Sequence, residues 1–263
     1  MRRAVPRILL AGTSSGCGKT TVSCAVLQAL VNRGLSVAAF KCGPDYIDPM
    51  FHSRIIGAES RNLDSFFFSE NTLRYLLAEN SKGKAISVLE GVMGYYDGMG
   101  ADSTRASSYE IAGITRSPAV LIVDARGAAL SVLAAVDGFV RFRPRSRIRG
   151  VILNRCSGGL YPSLAKLLRE RYGERLLPLG YLPELRECTL HSRHLGLITA
   201  EETEGLREKM QRLAEEAEKT VDLDGLLRLA NTAAALEYRE VPVKEKEPIR
   251  IGVARDRAFC FLL

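Results

Sequence analysis

The segment that most constrains the fold is a glycine-rich run near the start of the chain, residues 12–21 (GTSSGCGKTT). Residues 7–11 before it form a short apolar run, which indicates a buried strand. Residues 19–33 after it place apolar side chains at helical spacing, and Gly34 stands where a helix commonly ends. A buried strand that leads through a glycine-rich turn into a helix is typical of α/β proteins, so we expect the same alternation further along the chain.

The remaining sequence supports this expectation. Further strands are predicted at residues 36–40, 86–89, 119–123 and 151–153, and helices at residues 72–80, 107–115, 131–139, 161–172 and 201–219. The strand segments are almost continuously apolar, which is typical of parallel strands covered by helices on both faces. We therefore predict an α/β fold with a doubly wound, mostly parallel sheet and helices on both faces. Ligands of such sheets bind beyond the carboxyl ends of the strands.

The glycine-rich run has the composition of a phosphate-binding P-loop, although Thr13 stands where the strict pattern has glycine, so the motif is a variant. Ser14 stands where dimeric partition ATPases carry a second lysine, which argues against that subclass. Backbone N–H groups and the helix N-terminus attract phosphate, Lys19 is predicted to contact the β- and γ-phosphates, and Thr20 to ligate Mg²⁺. Asn154 follows the strand 151–153, where an amide can pair with a nucleobase or simply form a turn. The predicted nucleotide-binding residues are Gly12, Thr13, Ser14, Ser15, Gly16, Cys17, Gly18, Lys19, Thr20, Thr21 and Asn154.

Acidic residues follow two other predicted strands. Asp45 and Asp48 lie in KCGPDYIDP, residues 41–49, which its glycine and prolines make a tight loop. Glu90 directly follows the predicted strand 86–89 and is expected to point into the crevice beside the P-loop. Thr20, Asp45 and Glu90 together offer the hard oxygen ligands that Mg²⁺ prefers. A simpler interpretation stays open, in which the aspartates cap turns and Glu90 ends a solvated strand.

Composition limits the class of protein. The 263 residues are 46% hydrophobic and 25% charged, and no apolar run approaches the ~18 residues of a membrane span, so we expect a cytoplasmic protein without a membrane partner. The six cysteines show no C-x-x-C spacing, so reduced thiols are expected. His191 and His194 lack the partners of a metal site, so no metal site is expected there.

The net charge of +7 includes alternate arginines at 141–149, for which a solvated loop is favoured over a binding role. No nucleic-acid motif accompanies them, so no nucleic-acid partner is expected.

The end of the sequence changes in character. Residues 240–248 (EVPVKEKEP) are charged and contain two prolines, so we interpret them as a linker after a domain at residues 1–239. Residues 249–263 begin with a strand pattern, IRIGVA, that is too short to fold alone. We expect them to be the truncated start of a further domain.

Several segments, in order, resemble the family of cobyrinate a,c-diamide synthases. They are the P-loop run, KCGPDYIDP followed by Phe51 and His52, EGVMGYYDG at 90–98, VDARGAALSVLA at 123–134, LNR at 153–155, LGYLPE at 179–184 and RHLGL at 193–197. The resemblance covers nearly the whole chain, and KCGPDYIDP is its most specific segment. Cobyric acid synthases and dethiobiotin synthetase are related, but they differ in that loop.

The resemblance implies an ATP-dependent carbon–nitrogen ligase that converts the a- and c-acetate carboxylates of cobyrinic acid to acyl phosphates and then to amides. In the family a C-terminal glutaminase supplies the ammonia from glutamine. Residues 249–263 resemble its start and Cys260 lies in no nucleophile motif, so we expect the isolated chain to use ammonia. The predicted catalytic residues are Lys19, Asp45, Asp48 and Glu90, and Asp48 is predicted to orient the incoming ammonia or to accept its proton. Tyr46 and Asp97 are predicted to contact the corrinoid.

Two alternatives stay open. The substrate is either cobyrinic acid or another tetrapyrrole, such as hydrogenobyrinate or nickel-sirohydrochlorin. A P-loop switch ATPase would use the same Gly18, Lys19, Thr20 and Glu90, but we can give the loop around Asp45 and Asp48 no role in a switch. The oligomeric state is also open, a homodimer included.

Overall fold

A computed structural model of the protein describes residues 1–188, without the side chain of Met50, and residues 205–242, 250 and 252–254. Its strands are β1 (Arg2–Arg3), β2 (Arg7–Gly12), β3 (Val37–Cys42), β4 (Glu59–Leu63), β5 (Ile86–Gly94), β6 (Ala119–Asp124), β7 (Ile148–Asn154), β8 (Leu177–Leu182) and β9 (Leu236–Glu237). Seven of them form a wholly parallel sheet in the order β4–β3–β5–β2–β6–β7–β8. The short strands β1 and β9 pair separately and antiparallel.

Helices cover both faces of this sheet. They are α1 (Lys19–Asn32), α2 (Ile47–Phe51), α3 (Glu70–Asn80), α4 (Ser108–Thr115), α5 (Ser131–Phe142), α6 (Tyr161–Tyr172), α7 (Leu206–Thr220) and α8 (Leu223–Asn231), with a π-helical turn at His52–Ile56 and 3₁₀ turns at Gly173–Arg175 and Arg186–Cys188. Helices α1, α7 and α8 pack on one face, and α3 to α6 pack on the other. The predicted doubly wound α/β fold is therefore confirmed.

Local sequence explains where several helices begin and end. The Ser69 and Ser107 hydroxyls accept backbone N–H groups three residues later, from Thr72 and Glu110, and so begin α3 and α4. Helix α1 ends before Gly34, whose positive φ of 75° allows its N–H to turn back to the Val31 carbonyl. Every residue of β2 and β3 is buried, as expected for strands inside a sheet with helices on both faces.

The structure corrects several predicted boundaries. Strand β5 continues to Gly94, so Glu90 lies within a strand and not after it. Strand β3 continues to Cys42, and α2 begins at Ile47, so the predicted loop 41–49 is a strand end, a short turn and a helix start. Strands β4 and β8 and helix α8 were not predicted. Helix α7 begins at Leu206, after Gly205.

Some predicted features lie outside the described residues. They include residues 201–204 of the predicted helix, His191 and His194, the segment 193–197, Cys260 and most of 240–263, so the predicted linker and the second domain are not tested. The five cysteines in the described part, Cys17, Cys24, Cys42, Cys156 and Cys188, are free and buried. None of the helices described is long and apolar enough to cross a membrane.

Candidate active site

The P-loop joins β2 to α1 at the carboxyl edge of the sheet, near its centre. Gly16 and Gly18 adopt left-handed backbone conformations, with φ of 76° and 92°. A side chain at Gly18 would also collide with the Asn154 amide, so glycine is required there on two grounds. Lys19 is the first residue of α1, and its ammonium donates to the Ser14 carbonyl across the loop at 3.1 Å. Burial lowers the pKa of Lys19 from its ordinary value.

The neighbouring strands hold the loop in place. The Asn154 side-chain amide donates to the Cys17 carbonyl at 2.9 Å, and Arg155 donates to the Gly16 carbonyl at 2.7 Å. Arg155 is itself fixed by two hydrogen bonds to the Asp124 carboxylate, at 2.7 and 3.0 Å. Asn154 is only 4% exposed, so in this structure it supports the phosphate loop, and its contact with a nucleobase stays a prediction.

A buried ionic cluster lies beside the P-loop, and we call it the Lys41 cluster: Lys41, Asp48, His52 and Glu90, with the Thr20 hydroxyl at its edge. The Lys41 ammonium donates to the Asp48 carboxylate and, at 3.0 Å, to Glu90. The other Glu90 oxygen lies 3.1 Å from His52 Nε2, and Thr20 donates to Glu90 at 2.9 Å. Lys41 and Glu90 lie side by side because β3 and β5 are adjacent parallel strands in which these two residues are paired.

Burial and opposite charge compete within this cluster. Burial would raise the pKa of Glu90, which is 1% exposed, but Lys41 and then His52 hold that pKa well below its usual range. Burial would likewise lower the pKa of Lys41, but the Glu90 and Asp48 carboxylates outweigh it and raise that pKa. Burial, followed by the charge of Glu90, raises the pKa of Asp48 to about 7 against the effect of Lys41. Asp48 is thus the carboxylate of this cluster that most readily holds a proton.

The other predicted site residues lie at the surface of this edge. One Asp45 oxygen accepts the backbone N–H groups of Ile47 and Asp48, at 2.8 and 3.4 Å, and so caps α2. The second oxygen lies 4.0 Å from the Lys41 ammonium. Asp97 accepts the Gly94 N–H at 2.8 Å and closes the turn after β5, whereas Tyr46 is 42% exposed. The structure therefore brings Lys19, Asp45, Asp48 and Glu90 to one edge.

The donor set is compatible with Mg²⁺ bound together with phosphates. Thr20 and Glu90 bring a hydroxyl and a carboxylate within 2.9 Å of each other. Within the described residues, no group of three or more histidine, cysteine, aspartate and glutamate side chains is arranged to hold a metal. Mg²⁺ commonly takes one or two protein ligands and completes its shell with phosphate oxygens and water, so the two oxygens suffice.

Sequence reasoning assigned no role to Lys41, His52 or Arg155. Lys41 and His52 stand next to segments that were singled out, but nothing local shows that both reach Glu90, because the contacts join three separate segments. Lysine is almost never fully buried without a partner, so a lysine directly after a predicted apolar strand was a usable signal. Arg155 gave no comparable signal.

Comparison with known proteins places the chain in a nucleotide-binding family. Residues 8–197 match the family described as the CobQ/CobB/MinD/ParA nucleotide binding domain. Among curated proteins, a cobyrinate a,c-diamide synthase of Listeria monocytogenes serotype 4b is 42% identical over 97% of this chain and 57% of its own length. Proteins of the same name from Gloeobacter violaceus and Thermoplasma volcanium are 40% and 39% identical over 97% and 98% of this chain, and 56% of each. The chain thus spans little more than half the length of these relatives.

Solved structures agree on the fold alone. The signal recognition particle receptor FtsY from Elizabethkingia anophelis superposes with a TM-score of 0.51 at 10% identity, covering 69% of this chain and 59% of that one. Chloroplast FtsY from Physcomitrella patens gives a TM-score of 0.50 at 12% identity with the same coverage. Both show a similar fold and carry no argument about substrate.

Proposed function

Because the chain belongs to the CobQ/CobB/MinD/ParA nucleotide binding domain family, we propose that it is the ATP-using part of a ligase that amidates the a- and c-acetate carboxylates of cobyrinic acid. The observation that carries the proposal is the Lys41 cluster beside the P-loop, where Thr20 of the loop donates to Glu90 of the cluster. A phosphate-binding loop beside buried acid–base groups suits transfer of phosphate to a carboxylate. The names of the curated relatives supply the substrate.

The proposed reaction has two steps. A corrinoid carboxylate oxygen attacks the γ-phosphorus of ATP, and the bond from that phosphorus to the ADP oxygen breaks, which leaves an acyl phosphate. Ammonia then attacks the acyl carbon, phosphate leaves, and the nitrogen loses a proton as the amide forms. Glutamine is the proposed source of the ammonia.

We propose a different role for each of the polar residues at this edge of the sheet. The P-loop N–H groups and Lys19 hold the phosphates and offset the charge that shifts in the transition state. We assign the proton released from nitrogen to Asp48, because a carboxylate with a pKa of about 7 is a suitable base near neutral pH. Lys41 holds Asp48 and Glu90 together as their counter-ion. Thr20 and Glu90, with Asp45 at the rim, would hold Mg²⁺, which supplies further neutralisation of phosphate charge.

The remaining assignments belong to the same proposal. We propose residues 1–239 as the ATP-using unit, Asn154 as the base contact, and Tyr46 and Asp97 as contacts of the macrocycle. The protein is proposed to work in the cytoplasm, with a glutaminase as its source of ammonia. A homodimer is compatible with this proposal.

The test measures ADP release and product mass for the purified chain with ATP, Mg²⁺ and ammonium chloride. Cobyrinic acid, hydrogenobyrinic acid and nickel-sirohydrochlorin are compared as substrates. We expect ADP release to depend on cobyrinic acid and to match the amides formed, and an isotopically labelled carboxylate oxygen to appear in the phosphate. Amidation of a different tetrapyrrole alone would reassign the substrate. ATP turnover that no tetrapyrrole changes would overturn the ligase and favour a switch ATPase.

A further inference from the structure

A second concave site lies at the amino ends of the strands, on the edge of the sheet opposite to the P-loop. Its cavity has a volume of about 440 Å³ and is lined by Arg116, Arg147, Arg149 and Arg228, with Glu174 as the acidic lining residue. We call it the arginine cavity. A six-residue strand such as β6 rises roughly 20 Å from one edge to the other, so this cavity is separate from the candidate active site.

The positive charge of the cavity is only partly compensated. Arg228 lies 3.3 Å from Asp222, but in the described ranges Arg116, Arg147 and Arg149 have no carboxylate within salt-bridge distance. Glu174 also lines the cavity, so two carboxylates accompany four guanidinium groups. Burial is the main cause that lowers the pKa of Arg147, and the charges of Arg116 and Arg149 add to it. A cavity of this charge favours an anion.

Two of the arginines are held in unusual backbone conformations. Arg116 ends α4 with a φ of 51°, and Arg147 precedes β7 with a φ of 58°. A residue other than glycine in the left-handed region costs about 1–3 kcal/mol, and glycine would adopt it without strain. Both arginines line the cavity and are accommodated at a cost in backbone energy, which favours a function for their side chains.

A buried arginine fixes the walls of the cavity. Arg7 is fully buried, and its guanidinium donates to the Thr115 carbonyl at 2.6 Å and to the Ala234 carbonyl at 2.7 Å. Thr115 precedes Arg116, and Ala234 lines the cavity on the side of α8. One side chain therefore ties the end of α4 to the segment after α8. The backbone on these two sides of the cavity is thus held in place, which reduces the entropy that the backbone would lose when a ligand binds.

We propose that the arginine cavity binds a small oligoanion, a molecule that carries two or more carboxylate or phosphate groups on a compact body. Guanidinium groups bind both kinds of oxyanion with paired hydrogen bonds. The volume lies in the range of small-ligand sites, and Leu177 and Leu229 provide apolar wall beside the charges. The concave shape and limited size argue for a small molecule instead of an extended polymer.

The experiment measures binding of two probes by isothermal titration calorimetry at fixed ionic strength. Tricarballylate represents carboxylates and inorganic pyrophosphate represents phosphates. Each is titrated into the whole chain carrying Lys19→Ala, which weakens phosphate binding at the P-loop. The cavity variant adds Arg116→Gln and Arg147→Gln, and the matched control adds Arg169→Gln and Arg207→Gln. Both pairs remove two exposed or half-exposed arginines, and Arg169 and Arg207 lie outside the cavity.

We expect saturable binding of at least one probe, weakened tenfold or more in the cavity variant and less than twofold in the control. The probe that binds identifies carboxylate or phosphate chemistry. If the cavity variant is not folded by its thermal melt, Arg149→Gln with Arg228→Gln replaces it, and the same loss is expected. Absence of saturable binding for both probes, or an equal loss in the cavity and control variants, would overturn the proposal.

Discussion

Replacing Lys41 by methionine should destabilise the protein strongly, because the lysine is the counter-ion of two buried carboxylates. Lys41 is 4% exposed, Glu90 1% and Asp48 7%, and the variant would leave both acids without their ammonium partner. Removal of one partner from a buried ion pair typically costs ~3–5 kcal/mol. Methionine keeps most of the apolar stem, so little of this loss would come from packing. The loss is a large part of a domain stability of ~5–15 kcal/mol.

The pH dependence of this loss has a definite sign. Without Lys41, the effect of burial is less opposed, and the pKa values of Glu90 and Asp48 rise in the folded state. A carboxyl whose folded pKa is raised is stabilised in its protonated form, so the variant loses stability as pH rises above the unfolded pKa of about 4. The difference from the parent protein should therefore be larger near pH 8 than near pH 5.

The assay is urea unfolding followed by circular dichroism at both pH values. Lys84→Met is the matched control, because Lys84 pairs at 3.3 Å with Glu59, whose side chain is 71% exposed, and such pairs contribute about 0–1 kcal/mol. The double variant Lys41→Met with Asp48→Asn should recover part of the loss, since it removes one orphaned carboxylate. A loss for Lys41→Met no greater than for the control, or one that does not change with pH, would refute this reasoning.

Three further predictions concern catalysis, measured as ammonia-dependent amide formation beside ATP binding and a thermal melt. Lys19→Ala should lower the rate about a hundredfold, or ~3 kcal/mol, because the lysine offsets phosphate charge in the transition state; near-normal amidation would contradict the P-loop assignment. Glu90→Gln should lower turnover and alter its Mg²⁺ dependence more than it weakens ATP binding, and an unchanged Mg²⁺ dependence would remove Glu90 from the site. Asp48→Asn should leave ATP binding near normal and lower amide formation by roughly two orders of magnitude, since a positioned base is lost. In the parent protein the dependence on ionised Asp48 should make the rate rise through about pH 7, and a fully active Asp48→Asn would leave Asp48 a purely structural role.

The sequence was informative where the chemistry is local. Strand β2, the P-loop and α1 follow one another in the chain, so their spacing alone predicts the turn and the helix start. Strand β4 was missed because its residues, ESRNL, are mostly polar, as an edge strand with a single neighbour permits. Strand β8 was missed because proline and glycine interrupt its apolar pattern.

Only some residues of the candidate site could be predicted from the sequence. The residue types at Lys19, Asp48 and Glu90 were recognisable because each follows or lies near an apolar strand. That Lys41 joins two of them, and that His52 supports Glu90, depends on the lateral order of β3 and β5. Strand order is a tertiary property, and no local pattern specifies it.

That strand order also has a consequence for how the protein is made. Strands β2 and β3 are consecutive in the chain, but they are not neighbours, because β5 lies between them. As the chain leaves the ribosome, β2 and β3 therefore cannot take their places in the central sheet at once. Both pair with β5, so they cannot be joined in one sheet until residues 86–94 have emerged. Glu90 lies in that strand, so the candidate nucleotide site is incomplete at every earlier point of synthesis. The face covered by α7 and α8 stays open still longer, so the apolar residues of that face are buried only after residues 206–231 have emerged.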